Sequence, residues 1–299
     1  MGVYSRLGEY EQVIYTGLWG GAKPVPIESR KLGRLMNLDQ RTALIVGGGQ
    51  TPGATIGNGR ATALAFAKAG AKVAVADRKL ESAEETVKQI IDEGGDALAL
   101  ELDVRNEEAI KQAINTTCAR FGGLDILHNN VGIAAGAGHR DARIEHIEAE
   151  DFSFLVDINL RGMVLTSKHA LPVMRAAGRG VIINISSLAA LKPYPLVGYK
   201  TTKAGVIAFT QQVAANYARY GIRANVILPG LMETPMAVEG QVGKKSRDEI
   251  VAERDAQVPL GKKMGSAWDV ANAALFLASD LAQYITGAVL PVDGGLSVS

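Results

Sequence analysis

From residue 42 onward, short apolar runs alternate with longer segments whose apolar residues recur at helical spacing. The runs Thr42–Val46 and Lys72–Ala76 lack the in-and-out alternation of a half-exposed strand, which predicts strands buried on both faces of a sheet. The predicted strands are 42–46, 72–76, 97–102, 124–128, 180–185, 223–228 and 288–291. The predicted helices are 60–69, 80–93, 107–120, 151–176, 199–220 and 267–278.

This alternation predicts a single α/β domain over residues 39–299. Parallel strands joined by helices require right-handed crossovers, so we expect a doubly wound parallel sheet in a three-layer αβα arrangement. Residues 231–266 are polar and irregular, which is typical of a mobile substrate lid. Residues 1–38 hold aromatics without a regular period and are predicted to be an extension. They are either a flexible segment or an arm that packs on another subunit.

Composition and charge make several classes of protein unexpected here: nucleic-acid-binding, membrane-spanning, disulfide-bonded and metal-binding proteins. Thirty-two basic and 31 acidic residues give a net charge of +1, so neither nucleic acid nor an acidic membrane surface is an expected partner. No apolar stretch approaches the ~18 residues of a membrane span. The lone Cys118 excludes an internal disulfide and fits a reducing cytoplasm. No histidine lies in a metal-ligand pattern, so no metal is expected.

Two glycine clusters follow the first strand. Gly47 to Gly49 end that strand, and Gly57-Asn58-Gly59 open the next helix. Glycines here allow close approach of a pyrophosphate, which the free N–H groups of the helix N-terminus attract. A P-loop would need Gly-Lys-Ser/Thr after its second glycine, but Gly53 is followed by Ala54 and Thr55. The clusters therefore predict a dinucleotide site.

Asp77 indicates which dinucleotide is expected. It ends the second predicted strand, 18 residues after Gly59, close to the usual offset of an acidic residue that binds the adenosine ribose. Its carboxylate can accept hydrogen bonds from ribose hydroxyls and would repel a 2′-phosphate. Arg78 beside it could instead attract that phosphate. The balance favours NAD over NADP.

Further motifs appear in a characteristic order along residues 39–299. They are Asp103-Val104, Asn129-Asn130-Val131-Gly132, Asn159 within Asp-Ile-Asn-Leu, Tyr199-x-x-x-Lys203, Pro229-Gly230 with Thr234, and Val292-Asp293-Gly294-Gly295. This set resembles the short-chain dehydrogenase/reductase family. The resemblance implies a Rossmann-type fold, a homotetramer, and hydride transfer between a secondary alcohol or ketone and a nicotinamide.

The resemblance also assigns roles to these residues. Asp103 and Val104 would contact the adenine, and Asn130 belongs to a motif that supports the cofactor site. Pro229 and Thr234 would lie at the nicotinamide carboxamide. Lys203 would bind the nicotinamide ribose, and Asn159 would anchor a proton-relay water. Spacing adds one argument from physical chemistry. Tyr199 and Lys203 are four residues apart on one helix face, so the ammonium is expected to lower the pKa of the Tyr199 phenol for general acid–base work.

The catalytic serine has two candidates. Counting along the strand gives Ser187, and counting back from Tyr199 by the family's spacing gives Ser186. Loops absorb deletions more easily than buried strands, so Ser187 is predicted to hold the substrate oxygen. The glycine region departs from the family pattern, because Gln50 to Ile56 contain about six extra residues and Asn58 replaces isoleucine.

Substrate identity is not encoded in a recognisable motif. Four apolar residues near the predicted site hint at a substrate with an apolar or ring portion: Leu188, Leu191, Tyr194 and Leu196. The sequence is also compatible with two other functions. One is an NADP-linked 3-oxoacyl-thioester reductase, against which Asp77 speaks. The other is a catalytically silent nucleotide-binding scaffold, since a fold does not fix a function.

Overall fold

The structure is a computed structural model and describes residues 36–133, 140–239 and 245–299. The strands within these ranges are β1 Thr42–Val46, β2 Lys72–Asp77, β3 Ala97–Glu101, β4 Ile126–Asn129, β5 Gly180–Ile185, β6 Ile222–Pro229 and β7 Val289–Val292. The α-helices are α1 Asn58–Lys68, α2 Leu80–Asp92, α3 Glu107–Phe121, α4 Ala149–Val156, α5 Gly162–Ala177, α6 Val197–Tyr217, α7 Arg247–Gln257 and α8 Ala267–Ala278.

The seven described strands form one parallel sheet in the order β3-β2-β1-β4-β5-β6-β7. The chain reverses its direction of winding between β1 and β4, and ligands of such sheets bind at the carboxyl ends of the strands beside this point. The predicted doubly wound fold is therefore confirmed, and its topology places the glycine clusters after β1 at the expected crevice.

Both faces of the sheet are buried, as the continuous apolar strands predicted. Neighbouring residues of β1 point to opposite sides. Ile45 belongs to an apolar cluster that includes Phe66 of α1, while Leu44 packs on the other side with Ile114 of α3 and Met174 of α5. Every residue of β1 is buried, so the strand supports rigidly the loop that follows it.

The predicted helix 151–176 is not a single regular helix. Between α4 and α5 the backbone forms a π-helical turn over Asp157–Arg161, which contains Asn159. Such turns insert one extra residue per helical turn and recur at functional sites. The apolar period used for the prediction averages over several turns and cannot reveal one local insertion.

The predicted lid contains structure that its polar composition did not indicate. Ser246 caps the N-terminus of helix α7, and its side chain and that of Glu249 form a reciprocal capping box. Ile250 is buried with Val258 and Met264 in a small apolar cluster. Residues 240–244 of this segment lie outside the described residues.

The predicted extension 1–38 lies outside the described residues except for its last three positions. Leu38 is 1% exposed and packs in the main core, and its backbone N–H donates to the Ala69 carbonyl at 2.7 Å. Among the described helices, none is both long and apolar enough to cross a membrane.

Candidate active site

Gly47 forms the tight turn at the end of β1. Its φ of +82° lies in the left-handed region, which glycine adopts without steric cost. The Asn130 side chain donates a hydrogen bond of 2.9 Å to the Gly47 carbonyl. A Cβ on Gly59 would lie 1.9 Å from that same carbonyl oxygen. Gly59 therefore has to be glycine for α1 to approach the turn.

The extra residues of the glycine region fold back on themselves and reach the lid. The Gln50 side chain donates to the Thr55 carbonyl at 2.8 Å and accepts from the Gly57 N–H at 2.9 Å. Ala54 N–H donates to Glu239 Oε1 at 3.1 Å. The insertion thus adds contacts along the cleft, between the glycine region and the lid.

A dinucleotide fits the polar groups at the start of α1. No hydrogen-bond partner within the described residues satisfies the buried side-chain oxygens of Thr55 and Asn58. Buried polar atoms almost always have a partner, and Asn58 lines the cleft, so its free oxygen fits a ligand bound at the start of α1. Gly57, Asn58 and Gly59 line the same cleft as Tyr199. The cleft volume of about 520 Å³ lies within the ~300–1,000 Å³ typical of ligand and cofactor sites.

The Asp77 carboxylate is held beside the glycine turn at one end of this cleft. Its Oδ2 accepts from Gly49 N–H at 3.1 Å and its Oδ1 from Lys79 N–H at 3.2 Å. Each carboxylate oxygen can accept a second hydrogen bond. Arg78 also lines the cleft, and its positive charge helps to lower the pKa of Asp103.

Asp103 and Val104 lie beside Asp77 along the cleft. Arg105 donates hydrogen bonds to both carboxylate oxygens of Asp103, including one of 3.1 Å from its Nε to Oδ1. These hydrogen bonds are the main reason that the pKa of Asp103 is lowered. Val104 is 5% exposed and packs against Gly162 of α5.

Tyr199 and Ser187 meet at the other end of the cleft. Ser187 is the second residue after β5, and its side chain interacts with the Tyr199 phenol closely enough to act against the rise of the Tyr199 pKa. The Ser186 hydroxyl is turned away and donates to the Lys203 carbonyl at 2.6 Å. Ser186 is 3% exposed. The geometry therefore favours Ser187 over Ser186 as the serine that contacts a substrate.

Lys203 is buried one helical turn after Tyr199. It is 2% exposed, and its Nζ lies 5.7 Å from the centre of the Tyr199 ring. Within the described chain its ammonium donates to the Ile185 carbonyl at 3.0 Å, and two of its three N–H donors remain for a ligand. Burial lowers the pKa of Lys203 to about 8.

The sequence predicted that Lys203 lowers the pKa of Tyr199. This prediction is wrong when only the groups of the protein itself act on the phenol. Burial raises the pKa of Tyr199 to about 12, the Ser187 hydrogen bond acts in the opposite direction, and nearby Tyr194 raises it further. Removing a phenol from water disfavours its charged form. Burial is the largest cause of this shift, and the cause that acts against it is Ser187 and not Lys203.

Asn159 joins three elements around the site. Its Oδ1 accepts from Ile133 N–H at 2.7 Å, and its Nδ2 donates to the Ile133 carbonyl at 3.1 Å and to Thr202 Oγ1 at 3.3 Å. The side chain thereby ties the loop after β4 to the π-helical turn and to α6. The water-anchoring role that the resemblance implied stays a prediction.

Pro229, Gly230 and Thr234 line the cleft after β6. The apolar residues Leu188, Leu191, Tyr194 and Leu196, which were expected to line the approach, do not line it. Leu191 is 54% exposed, and Tyr194 packs on Tyr199 with ring centres 5.6 Å apart. Apolar side chains from other loops and helices line the cleft instead: Ile133, Phe154, Ile158, Met232 and Met236.

A buried polar network beneath the site was not predicted from the sequence. Thr166 donates to Asn129, Asn129 to Asn184, and Asn184 to Thr210, with distances of 2.8, 2.8 and 2.9 Å. Fully satisfied networks of this kind rigidify their surroundings. The strand pattern gave a signal, since Asn129 and Asn184 interrupt apolar strands at the register where β4 pairs with β5.

The fold, the glycine crevice and the cluster at its other end define a nicotinamide-dependent oxidoreductase of the Rossmann type. Residues 53–297 match the family model described as enoyl-(acyl carrier protein) reductase. The chain belongs to the short-chain dehydrogenase/reductase family.

Relatives of known activity agree with this assignment. The chain is 38% identical over 261 residues to 2,5-dichloro-2,5-cyclohexadiene-1,4-diol dehydrogenase LinX of Sphingobium indicum, covering 86% of this chain and 96% of LinX. It is 37% identical over 244 residues to cis-4-hydroxycyclohexanecarboxylate dehydrogenase of Sinomonas cyclohexanicum, covering 81% and 93%. The crystal structure of levodione reductase superposes with a TM-score of 0.80 at 33% identity, covering 87% of this chain and 99% of that one.

Proposed function

We propose that this protein is an NAD(H)-dependent dehydrogenase or reductase that interconverts a secondary alcohol and a ketone on a carbocyclic ring. The observation that carries the proposal is the meeting of Ser187, Tyr199 and Lys203 in one cleft with the glycine turn at Gly47 and Gly59. The nicotinamide, when bound, accepts or donates a hydride at its C4, and its oxidised ring adds a positive charge.

Asp77 supports NAD over NADP. Its carboxylate keeps acceptor capacity for two ribose hydroxyls, and a 2′-phosphate there would face a fixed negative charge. Arg78 is close enough to Asp103 to help lower the pKa of that carboxyl group. The Arg78 guanidinium therefore has an acidic neighbour within the protein. Gly57, Asn58 and Gly59 would hold the pyrophosphate at the N-terminus of α1.

Tyr199 would move the proton. With its pKa raised to about 12, the phenol is protonated at neutral pH and is ready to donate to a carbonyl oxygen in the reductive direction. In oxidation the phenolate form of Tyr199, which a nearby positive charge favours, would take the proton of the substrate hydroxyl. Ser187 would hold that substrate oxygen by a hydrogen bond, and the two remaining donors of Lys203 would hold the nicotinamide ribose.

Two observations support a substrate with a six-membered carbocyclic ring: the names of two relatives and the side chains that line the cleft. LinX and the Sinomonas enzyme act, by their names, on substituted cyclohexane or cyclohexadiene rings. In this chain the cleft wall after β6 includes the flexible apolar side chains of Met232 and Met236. Such a wall suits the faces of a ring with few polar substituents.

The proposal is tested with a panel of alcohols and NAD⁺, following NADH absorbance. The panel contains cyclohexane-1,4-diol, 4-hydroxycyclohexanecarboxylate, 2-octanol and a 3-hydroxybutyryl pantetheine thioester. We expect kcat/KM to be highest for a ring alcohol and at least about tenfold lower with NADP⁺. Tyr199→Phe is the matched control and should abolish turnover without changing NADH affinity. Absence of turnover with every alcohol would reject an alcohol-oxidising function.

A relative favours one second candidate, a 3-oxoacyl-thioester reductase, because the chain is 33% identical over 264 residues to 3-oxoacyl-[acyl-carrier-protein] reductase FabG of Thermotoga maritima. That function would appear in the same panel as preferred turnover of the thioester, together with a preference for NADPH in the reverse reaction. The expected homotetramer and cytoplasmic location stay predictions.

A further inference from the structure

Asp141 is a buried carboxylate that binds the backbone of the helix carrying Tyr199. It lies in the segment between β4 and α4, is 9% exposed, and precedes Gly198 by 57 residues. Its Oδ1 accepts from Gly198 N–H at 2.8 Å, and its Oδ2 accepts from Tyr199 N–H at 2.7 Å. The carboxylate therefore bonds directly to the main chain of the proposed proton donor.

Helix α6 needs this contact, because its own sequence supplies no cap. The first N–H groups of a helix have no partner within the helix, and Leu196 at the cap position provides no side-chain hydrogen bond. Asp141 binds two of these groups, and the carbonyl of Ala142 accepts from Val197 N–H at 2.9 Å. Two consecutive residues of a distant segment thus cap the start of α6, and a negative charge there is favoured by the helix dipole.

Gly198 makes the close approach possible. A Cβ at this position would lie 2.4 Å from Leu155 Cδ1 and 3.0 Å from Asp141 Oδ1. Any side chain would therefore push the first turn of α6 away from the carboxylate. The sequence Val197-Gly198-Tyr199 places a glycine where this contact requires one.

We propose that Asp141 is a positioning residue, which fixes the first turn of α6 so that the Tyr199 hydroxyl meets Ser187 and the substrate oxygen. The inference rests on the proposed role of Tyr199. It deepens that role by naming what holds the phenol in place.

Asp141→Asn is the sharpest test, since it keeps the shape of the side chain. An amide can accept from Gly198, but its NH₂ group would then face the Tyr199 N–H, which loses its acceptor. A displacement of the reacting group by about 1 Å can cost roughly 10²-fold in rate. We therefore expect kcat for cyclohexane-1,4-diol to fall roughly 10- to 100-fold. Asp141→Ala should be at least as slow.

Two further measurements separate positioning from general stability. The single-turnover rate of NADH formation, from enzyme preloaded with NAD⁺, should fall by the same factor as kcat, while the Kd for NADH changes less than about twofold. Asp125→Asn is the matched control. Asp125 is also a buried carboxylate that accepts from a backbone N–H, that of Thr42 at 2.9 Å, but at the opposite end of the sheet. It should lower stability and leave kcat unchanged.

Each failure has its own signature. Unchanged kcat in folded Asp141→Asn, with Tyr199→Phe inactive, would overturn the positioning role and leave the proposed function intact. Equal losses of kcat in Asp141→Asn and Asp125→Asn would reduce Asp141 to a general structural residue and also overturn it. Full activity of Tyr199→Phe, or no turnover by the wild-type enzyme, would overturn the proposed function and this inference with it.

Discussion

A buried charge at the amino end of the sheet is paired with opposite charges, whereas a buried charge at the carboxyl end is not. At the amino end, Asp125 lies 2.7 Å from the Nε of Arg179 and 3.8 Å from Nη1 of Arg41. At the carboxyl end, Lys203 is buried against a backbone carbonyl, and no carboxylate within the described residues lies in salt-bridge range of its ammonium. Burial shifts its pKa downward.

Two glycines, one at a helix end and one in the cleft, differ in the space around them. Gly122, at the end of α3 near the amino end, has φ of +88° and open space where a Cβ would lie. At the carboxyl end a Cβ on Gly59 would meet a backbone oxygen. Asp125 is paired with two arginines, whereas within the described residues Lys203 has no acidic partner and Gly59 has no room for a side chain. A fold retains such costs where a site requires them.

The largest expected effect separates two neighbouring serines at the carboxyl end. Ser187→Ala removes the hydroxyl that contacts Tyr199 and would face the substrate oxygen, and loss of such a donor costs roughly 10²- to 10³-fold in kcat. Ser186→Ala removes a hydrogen bond to the Lys203 carbonyl and should lower stability by about 1 kcal/mol, with a much smaller change in kcat. Steady-state kinetics and urea unfolding of both variants measure this. A greater loss of kcat in Ser186→Ala would reverse the assignment.

Gly59→Ala tests the close approach of α1 to the glycine turn. The new methyl group would overlap the Gly47 carbonyl, and overpacking of this kind typically lowers stability by about 1–3 kcal/mol. We expect the Kd for NADH to rise roughly 10- to 100-fold, which calorimetric titration would show. Gly122→Ala is the control at the amino end, where only the left-handed backbone is strained. Equal NADH affinity in both variants would contradict the contrast between the two ends.

The smallest effect is a dependence of stability on pH. The pKa of Lys203 is about 8 in the folded protein and ordinary, about 10.4, in the unfolded chain. Between these values the unfolded chain binds more protons, so this group makes the free energy of unfolding increase as pH rises from 8. The gain from pH 8 to 9.5 is roughly 1–2 kcal/mol by linkage. Tyr199, with its raised pKa, acts in the opposite direction only above about pH 10.

Urea unfolding of wild-type protein and Lys203→Met across pH 7.5–9.5 measures this effect, since methionine keeps the stem and removes the titrating group. The difference in unfolding free energy between the two proteins should grow with pH in favour of the wild type. A constant difference would mean that Lys203 titrates at its ordinary pKa, and the ammonium would then be less buried than the structure shows.

Much of the fold was predictable because it depends on local patterns. Apolar runs without alternation identified each strand to within a few residues, and the positions of Gly47, Gly59 and Asp77 along the chain predicted a crevice after β1. The π-helical turn around Asn159 was missed because one inserted residue does not change an apolar period. Helix α7 was missed because the polar residues of its surface hide a single buried stripe around Ile250.

The sequence by itself determined the alternation of strands and helices around the sheet, the family, and the motif residues that meet at the carboxyl end of the sheet. These depend on side-chain periodicity and on motifs within a few turns of each other. Tertiary structure decided which serine faces Tyr199, that burial raises the pKa of the phenol, and that Asp141 caps α6. Each of these depends on groups brought together from distant parts of the chain and on the removal of water around them, and no local pattern encodes either.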